Sequence, residues 1–275
     1  MSDFMRRFAQ NKLAVFGLVI VIVLVLAAVF ADFIAPYGFR EQSRDYRQGP
    51  SRNHLLGTDN VGRDVLSRII YGARISLKVG ILATLISLTI GTIFGAVTGF
   101  FGGIIDTLMM RFVDIFLSIP YVILAVSIAV VFGRSVNSLI VVLGVTGWLS
   151  ISRVVRATFL SLRKLEYTEA ARALGFSRRR IIFGHLLPNA SVPIIVYGTI
   201  AVGSAILSEA ALSFIGVGPT SPTPAWGLMV ADARGSLTSA AHMLLFPGFA
   251  IFVTVLGFVL VGDGLRDTLD PKMRR

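Results

Sequence analysis

The chain has 275 residues, of which 55% are hydrophobic and 15% charged, against about 25% charged in ordinary soluble domains, so a soluble globule lacks the polar surface to cover itself. The net charge of +11 comes from basic residues placed between apolar blocks, which fits anchors flanking a lipid bilayer and argues against a nucleic-acid partner. Cysteine is absent, which excludes disulfides, thiolate metal sites and cysteine nucleophiles.

Residues 1–12 form a short basic start with Arg6, Arg7 and Lys12. Residues 13–31 are an apolar first span, longer than the roughly 7–15 residues of a cleaved signal core, so an uncut anchor is expected. Residues 32–74 form a polar excursion, expected outside the membrane. Within it, Asp59 or Asn60 can cap a helix. Val61, Val65, Leu66, Ile69 and Ile70 fall on one side of that helix, with Arg63, Asp64, Ser67 and Arg68 on the other. Two readings stand open: a helix lying flat at the interface, or an amphipathic loop helix packed on protein.

Residues 75–261 are expected to hold five more spans. The second runs to Phe100 and carries Gly91, Gly95 and Gly99 every fourth residue, a face that allows close helix contact. The third, from Ile104 to Val131, contains Arg111 and Asp114, three apart and able to pair on one face. Intramembrane charges are costly, so these two are pathway candidates as well as a structural pair. Pro120 should bend this span. The fourth, near Ser138 to Ser150, can continue helically through Arg153 and Arg156. The fifth, from Val192 to Phe214, carries Glu209 near its far end, positioned to line a pathway or to reach the interface. The sixth spans Met243 to Val261, and residues 262–275 are a polar, basic tail.

Between the fourth and fifth spans lies a coupling loop, residues 152–190. Its most charged window, Glu166 to Asn189, sets Arg172, Arg178, Arg179 and Arg180 against Glu166 and Glu169. A helix-forming polar segment held between two membrane spans is a handle on which another protein can dock. Six spans and the excess of Lys and Arg at both ends and in this loop place the termini and the handle in the cytoplasm. The arginine-rich segment 32–77 conflicts with that rule.

The chain has no fuel site of its own. No lysine follows a glycine, so a phosphate-binding P-loop is excluded. His54, His185 and His242 lack zinc-ligand spacing, and neither a nucleophile elbow nor HExxH is present. A non-enzymatic membrane bundle with a cytoplasmic handle implies a separate engine; the competing class is a self-sufficient channel or secondary carrier.

At the handle the chain resembles the transmembrane subunits of bacterial ABC importers, whose loop reads Glu-Ala-Ala, three residues, Gly, nine residues, Ile-x-Leu-Pro. Glu169, Ala170, Ala171, Gly175, Leu187 and Pro188 fit that spacing, and His185 stands where the pattern has Ile. HLLGTDNVGRDVLSRIIYGARISL, MRFVDIFLSIP, AALSFIGVGPTSPTPAWG and GDGLRDTLDPK resemble the second permease of the dipeptide, oligopeptide and nickel systems. The resemblance implies an all-α membrane protein with six transmembrane helices and the type I importer permease fold, in the bacterial inner membrane. It implies ATPase contacts by Glu169 and Arg172, close approach at Ala170 and Ala171, and a helix stop at Gly175. It also implies a homologous second permease, two ATPase subunits that carry ATP and Mg, and an extracytoplasmic solute-binding protein. This chain would bind no cofactor or metal. Its cargo would be peptide, with nickel or another small solute as the alternative.

Overall fold

The computed structural model describes residues 2–269, and within them the chain is helical, without a strand. A nine-residue helix α1 (Ser2–Gln10) precedes α2 (Lys12–Val29), the first span. The Asn11 side chain accepts a hydrogen bond from the Ala14 N–H and so caps α2. A single turn, α3 (Ala31–Ile34), leads into the outer loop.

The helix that follows, α4 (Val65–Phe101), has 37 residues and forms the axis of the bundle. Here the structure corrects the expectation of a separate helix before the second span. Val61 lies ahead of the helix, and Val65, Leu66, Ile69 and Ile70 form its first turns. The cap is Asp64, which accepts from the Ser67 N–H at 2.7 Å. Asp59 caps the turn ahead of the helix instead: its Oδ1 accepts from the Val61 and Arg63 N–H groups, while its Oδ2 accepts from Arg63 Nε at 2.6 Å. At the other end Gly102, with φ +66°, stops the helix.

The expected third span is two helices. α5 (Gly103–Ser118) and α6 (Tyr121–Phe132) meet at an angle of 90°. Pro120 has no N–H to continue α5, and the residue before a proline is driven out of the helical region; Ile119 sits at φ −82°, ψ 128°. Pro120 thus breaks the span where a bend was expected. α7 (Val136–Leu162) then runs unbroken past Arg153 and Arg156, capped by Ser135.

α8 (Glu166–Ala173) lies in the window expected to form the handle, followed by a short α9 (Arg178–Ile181) and a π-helical turn at Ile182–Leu186. α10 (Leu187–Phe214) is the next crossing, α11 (Trp226–Asp232) a short outer helix, and α12 (His242–Leu269) the last crossing. α12 extends eight residues into what was expected to be a tail, while residues 270–275, with Lys272, Arg274 and Arg275, lie outside the described region. Among the described residues, five helices are long and apolar enough to cross a membrane, six crossings with α5 and α6 counted as one broken span.

Two seams hold the bundle together. Along α4 and α7, a Cβ on Gly91, Gly95 or Gly99 would sit 2.5–2.7 Å from Ile151, Ser152 or Phe159 atoms, so the expected small-residue face is where the two backbones approach. On the other side α2, α10 and α12 pack on α4 through Leu77, Val202, Ile206, Ile251 and Phe258.

Candidate coupling surface and bundle cavity

The outer end of α4 is locked into a folded cap. Arg63 and Arg68 are buried beside Asp59, with Arg68 Nε 3.7 Å from its carboxylate. His54 Nδ1 lies 2.9 Å from Asp64 Oδ1. Asn60 Nδ2 donates to the Asp232 carbonyl, Arg63 Nη1 to Ser221 Oγ, and Trp226 Nε1 to the Ile69 carbonyl. Arg74 reaches Asp32 at 3.0 Å, and that contact holds the Asp32 carboxyl below its ordinary range. Three of the arginines that break the charge rule are therefore partners of carboxylates within the cap and α4, consumed by folding.

At the other end, the handle is rooted in the bundle. Thr168 and Ala171 face inward, and Ala171 joins a cluster with Phe100, Val155, Phe159, Ile181 and Leu186. The opposite face carries Glu166, Glu169, Ala170 and Leu174, all exposed, with Leu174 at 73%. Gly175, at φ +75°, ends the helix with open space around it. Arg172 lies over the Phe100 ring, Arg178 over Phe101 and Arg180 over Phe176. Arg163 Nη1 donates to the last carbonyls of α4, Gly99 and Phe100. Arg172 and Arg178 thus stitch the basic window to the end of α4 by cation–π contacts, and Arg163, just ahead of the window, caps the α4 carbonyls. Leu187 is half-buried and Pro188 exposed, and the His185 ring stacks on Phe176 at 5.9 Å. Leu174 escaped sequence reasoning, because a single exposed leucine carries no pattern.

The expected pairing of Arg111 with Asp114 is not formed. Asp114 accepts from Arg153 Nη2 at 2.6 Å, and Asp106 Oδ2 accepts from Arg156 Nη2 at 2.6 Å. Arg111 is exposed and has no carboxylate within salt-bridge distance among the described residues. The antiparallel approach of α5 and α7 overrides the local three-residue spacing. Glu209 is fully buried between α4 and α10, where Ser76 Oγ and Ser213 Oγ donate to its two carboxyl oxygens at 3.2 and 2.8 Å. It tethers two helices and does not reach the interface.

Beside the α5–α6 break lies a cavity of about 520 Å³, walled by α4, α7 and α10. No charged side chain lines it; Pro120 and Tyr121 do. Among the described residues no group of three or more His, Cys, Asp or Glu side chains could hold a metal ion.

A family model for the binding-protein-dependent transport system inner membrane component matches residues 91–275. The chain belongs to that family. Residues 1–54 match the N-terminal transmembrane domain of oligopeptide transport permease C. Among its relatives, the permease is 44% identical over 270 residues to the dipeptide transport system permease protein DppC of Alkalihalophilus pseudofirmus, covering 98% of this chain and 89% of that one. It is 40% identical to the oligopeptide transport system permease protein OppC of Bacillus subtilis, covering 100% and 90%. It is 38% identical to the glutathione transport system permease protein GsiD of Pectobacterium atrosepticum, covering 99% and 91%. In fold it is similar to a chain of the MetNI methionine ABC transporter in an inward-facing conformation, with a TM-score of 0.64 at 22% identity, over 74% of this chain and 98% of that one. The permease is accordingly a multi-pass inner-membrane transport component and not an enzyme.

Proposed function

We propose that the permease forms half of the translocation path of an ATP-driven importer of dipeptides and oligopeptides, worked from the cytoplasm through α8. A homologous second permease supplies the other half. Two ATPase subunits hold ATP and Mg, and an extracytoplasmic binding protein delivers cargo. Both termini and the handle face the cytoplasm; the pairing of Arg63, Arg68 and Arg74 with acids supports that orientation, since these charges are committed to the fold.

The observation that carries the coupling role is the division of α8 into two faces. Ala171 and Thr168 are buried against the ends of α4 and α7, while Glu169, Ala170 and Leu174 stand free. A push on the free face therefore reaches the packed helices without a flexible joint. Glu169 and Leu174 contact the ATPase, Ala170 permits close approach, and Gly175 releases the chain from the helix. Arg172, Leu187 and Pro188 hold the handle's shape at the base. Peptide cargo is supported by the relatives whose names specify dipeptide, oligopeptide and glutathione transport.

The test is uptake in vesicles carrying the complete transporter. Glu169→Lys and Gly175→Arg should abolish ATP-dependent peptide uptake while the permease remains in the membrane at normal abundance. Undiminished uptake by both variants, labelling of Arg172 to Arg180 from outside the cell, or transport by the purified chain alone would each overturn the proposal.

A further inference from the structure

Folding accounts for only part of the charge in the outer segment. Of its seven arginines, Arg63, Arg68 and Arg74 pair with carboxylates. Arg40, Arg44, Arg47 and Arg52 stay exposed, and among the described residues none of them lies within salt-bridge distance of a carboxylate. The exposed acids of the same stretch are Glu41 and Asp45, and Glu41 already accepts from the Gly38 N–H. Four cations against two acids leave a positive field on this stretch of the surface. Basic residues outside the membrane oppose the usual placement of Lys and Arg, and no partner within the described chain explains these four.

Two of them are held out on a rigid tip. The Ser43 N–H donates to the Gly62 carbonyl at 2.9 Å, the Arg47 N–H to the Asp59 carbonyl at 3.0 Å, and the Thr58 N–H to the Gln48 carbonyl at 2.9 Å. Residues 43–48 therefore run antiparallel to 58–62, the turn directly ahead of α4, and Arg44, Asp45 and Tyr46 lie between the backbone staples. Arg47 is the non-glycine residue with positive φ among the described residues, at +53°; such a conformation persists where the surrounding bonds impose it. Its Nε donates to Asn60 Oδ1 at 2.7 Å, and the same oxygen takes Ser236 Oγ at 3.1 Å. Between the two arginines Tyr46 is 65% exposed, and Leu55 beyond them is 61% exposed. Arginine and tyrosine are the side chains enriched where proteins bind one another.

We propose that Arg44, Tyr46 and Arg47, flanked in the chain by Arg40 and Arg52, form the docking surface for an acidic face of the extracytoplasmic binding protein. The inference rests on the importer reading and on its orientation. Charge complementarity selects an acidic partner. The partner is a protein and not the lipid surface, because Tyr46 and Leu55 stand singly among Asp45, Gln48 and Asn53 and form no continuous apolar stripe for a bilayer to take up. Exposed charges of this kind act chiefly on the rate of encounter, and salt weakens them. The docked partner bears on the turn stapled ahead of α4, the helix whose far end meets α8.

The test uses the complete transporter in nanodiscs of phosphatidylcholine, with ATP hydrolysis followed against the concentration of its binding protein in the presence of trialanine. Arg44 and Arg52 are the residues to change, since neither side chain makes a hydrogen bond or ion pair among the described residues. Arg44→Glu combined with Arg52→Glu should raise the half-saturating concentration about tenfold at low salt and leave the maximal rate in place. The gap should close to about twofold near 0.5 M salt. Arg44→Lys with Arg52→Lys should keep the wild-type half-saturating concentration. The proposal fails if the double reversal leaves that concentration unchanged, if salt does not move it for the wild type, or if only the maximal rate falls. It fails also if the gap appears only with anionic phosphatidylglycerol in the disc, which would make lipid the partner. Absence of any stimulation of the wild-type transporter by its binding protein would instead refute the importer reading itself.

Discussion

Gly95→Ala is the sharpest probe of the helix pair at the centre of this bundle. The added methyl would lie 2.5 Å from the Ser152 carbonyl oxygen, 2.7 Å from Val155 Cβ and 2.9 Å from the Arg156 nitrogen. Two of these neighbours are backbone atoms, so no rotamer can relieve the clash. Restoring contact near 3.4 Å requires α4 and α7 to part by about 0.9 Å. A gap of that size forfeits about a quarter to a half of each dispersion contact along the seam, and overpacking costs about 1–3 kcal/mol. We expect a loss of about 2 kcal/mol, or roughly 4–8 °C in melting temperature for a chain of this size. Far-UV circular dichroism melts of the permease in detergent would read it. Gly248→Ala is the control, since no atom lies within 4 Å of its Cβ position and a helical alanine is favoured over glycine by up to about 1 kcal/mol. If Gly95→Ala melts with Gly248→Ala, the seam does not hold the helices together and the reasoning is wrong.

Asp59→Asn strips the carboxylate from between buried Arg63 and Arg68; it should cost about 3–5 kcal/mol, the usual penalty for leaving buried charge unpaired, and show as a loss of folded yield. A double-mutant cycle should give the Asp106–Arg156 pair, engaged through two guanidinium nitrogens, a coupling of about 1 kcal/mol. The half-exposed Asp114–Arg153 pair should give less than about 0.5 kcal/mol; equal couplings would contradict the geometry. Leu174→Asp should uncouple uptake while leaving thermal stability nearly unchanged, because Leu174 is 73% exposed; a markedly lowered melting temperature would mean that the handle folds around it. Burial raises the Asp232 carboxyl above its ordinary 3.8, against the opposing pull of Arg68 and Arg63. The folded state then holds this proton more tightly than the unfolded chain, so its stabilising contribution is complete below the ordinary value and fades as pH rises through the raised one. Asp232→Asn should flatten that part of the stability–pH curve, and an unchanged slope would remove Asp232 as its source.

What could be read from the sequence follows the range of the forces involved. The crossings rest on runs of apolar residues, and the α4 seam on a four-residue glycine spacing; both are local patterns, and the glycine face lies where it was expected, whereas the third apolar run is divided between α5 and α6. The start of α4 was misplaced because Asp59 and Asp64 are equally good caps in isolation. Only the loop's fold, which gives Asp59 to Arg63, decides between them. Pro120 announced a distortion, but its size depends on what packs beside it. Arg111 and Asp114 look paired by spacing, yet Arg153 and Arg156 arrive from another helix across the bundle. Glu209 stood open between a pathway and the interface because nothing local shows that Ser76 will meet it.

At 37 residues, α4 is a rod roughly 55 Å long. Its outer tip is clamped by charges and its inner tip is gripped by the arginines of the handle, with α7 fused along much of its flank. Such a beam transmits torque: a tilt of some ten degrees at the base would swing the crown sideways by about 10 Å over this length. On the proposed orientation, the face that meets the outside world is steered from the cytoplasmic end, and any event that holds the crown still is felt as resistance at α8.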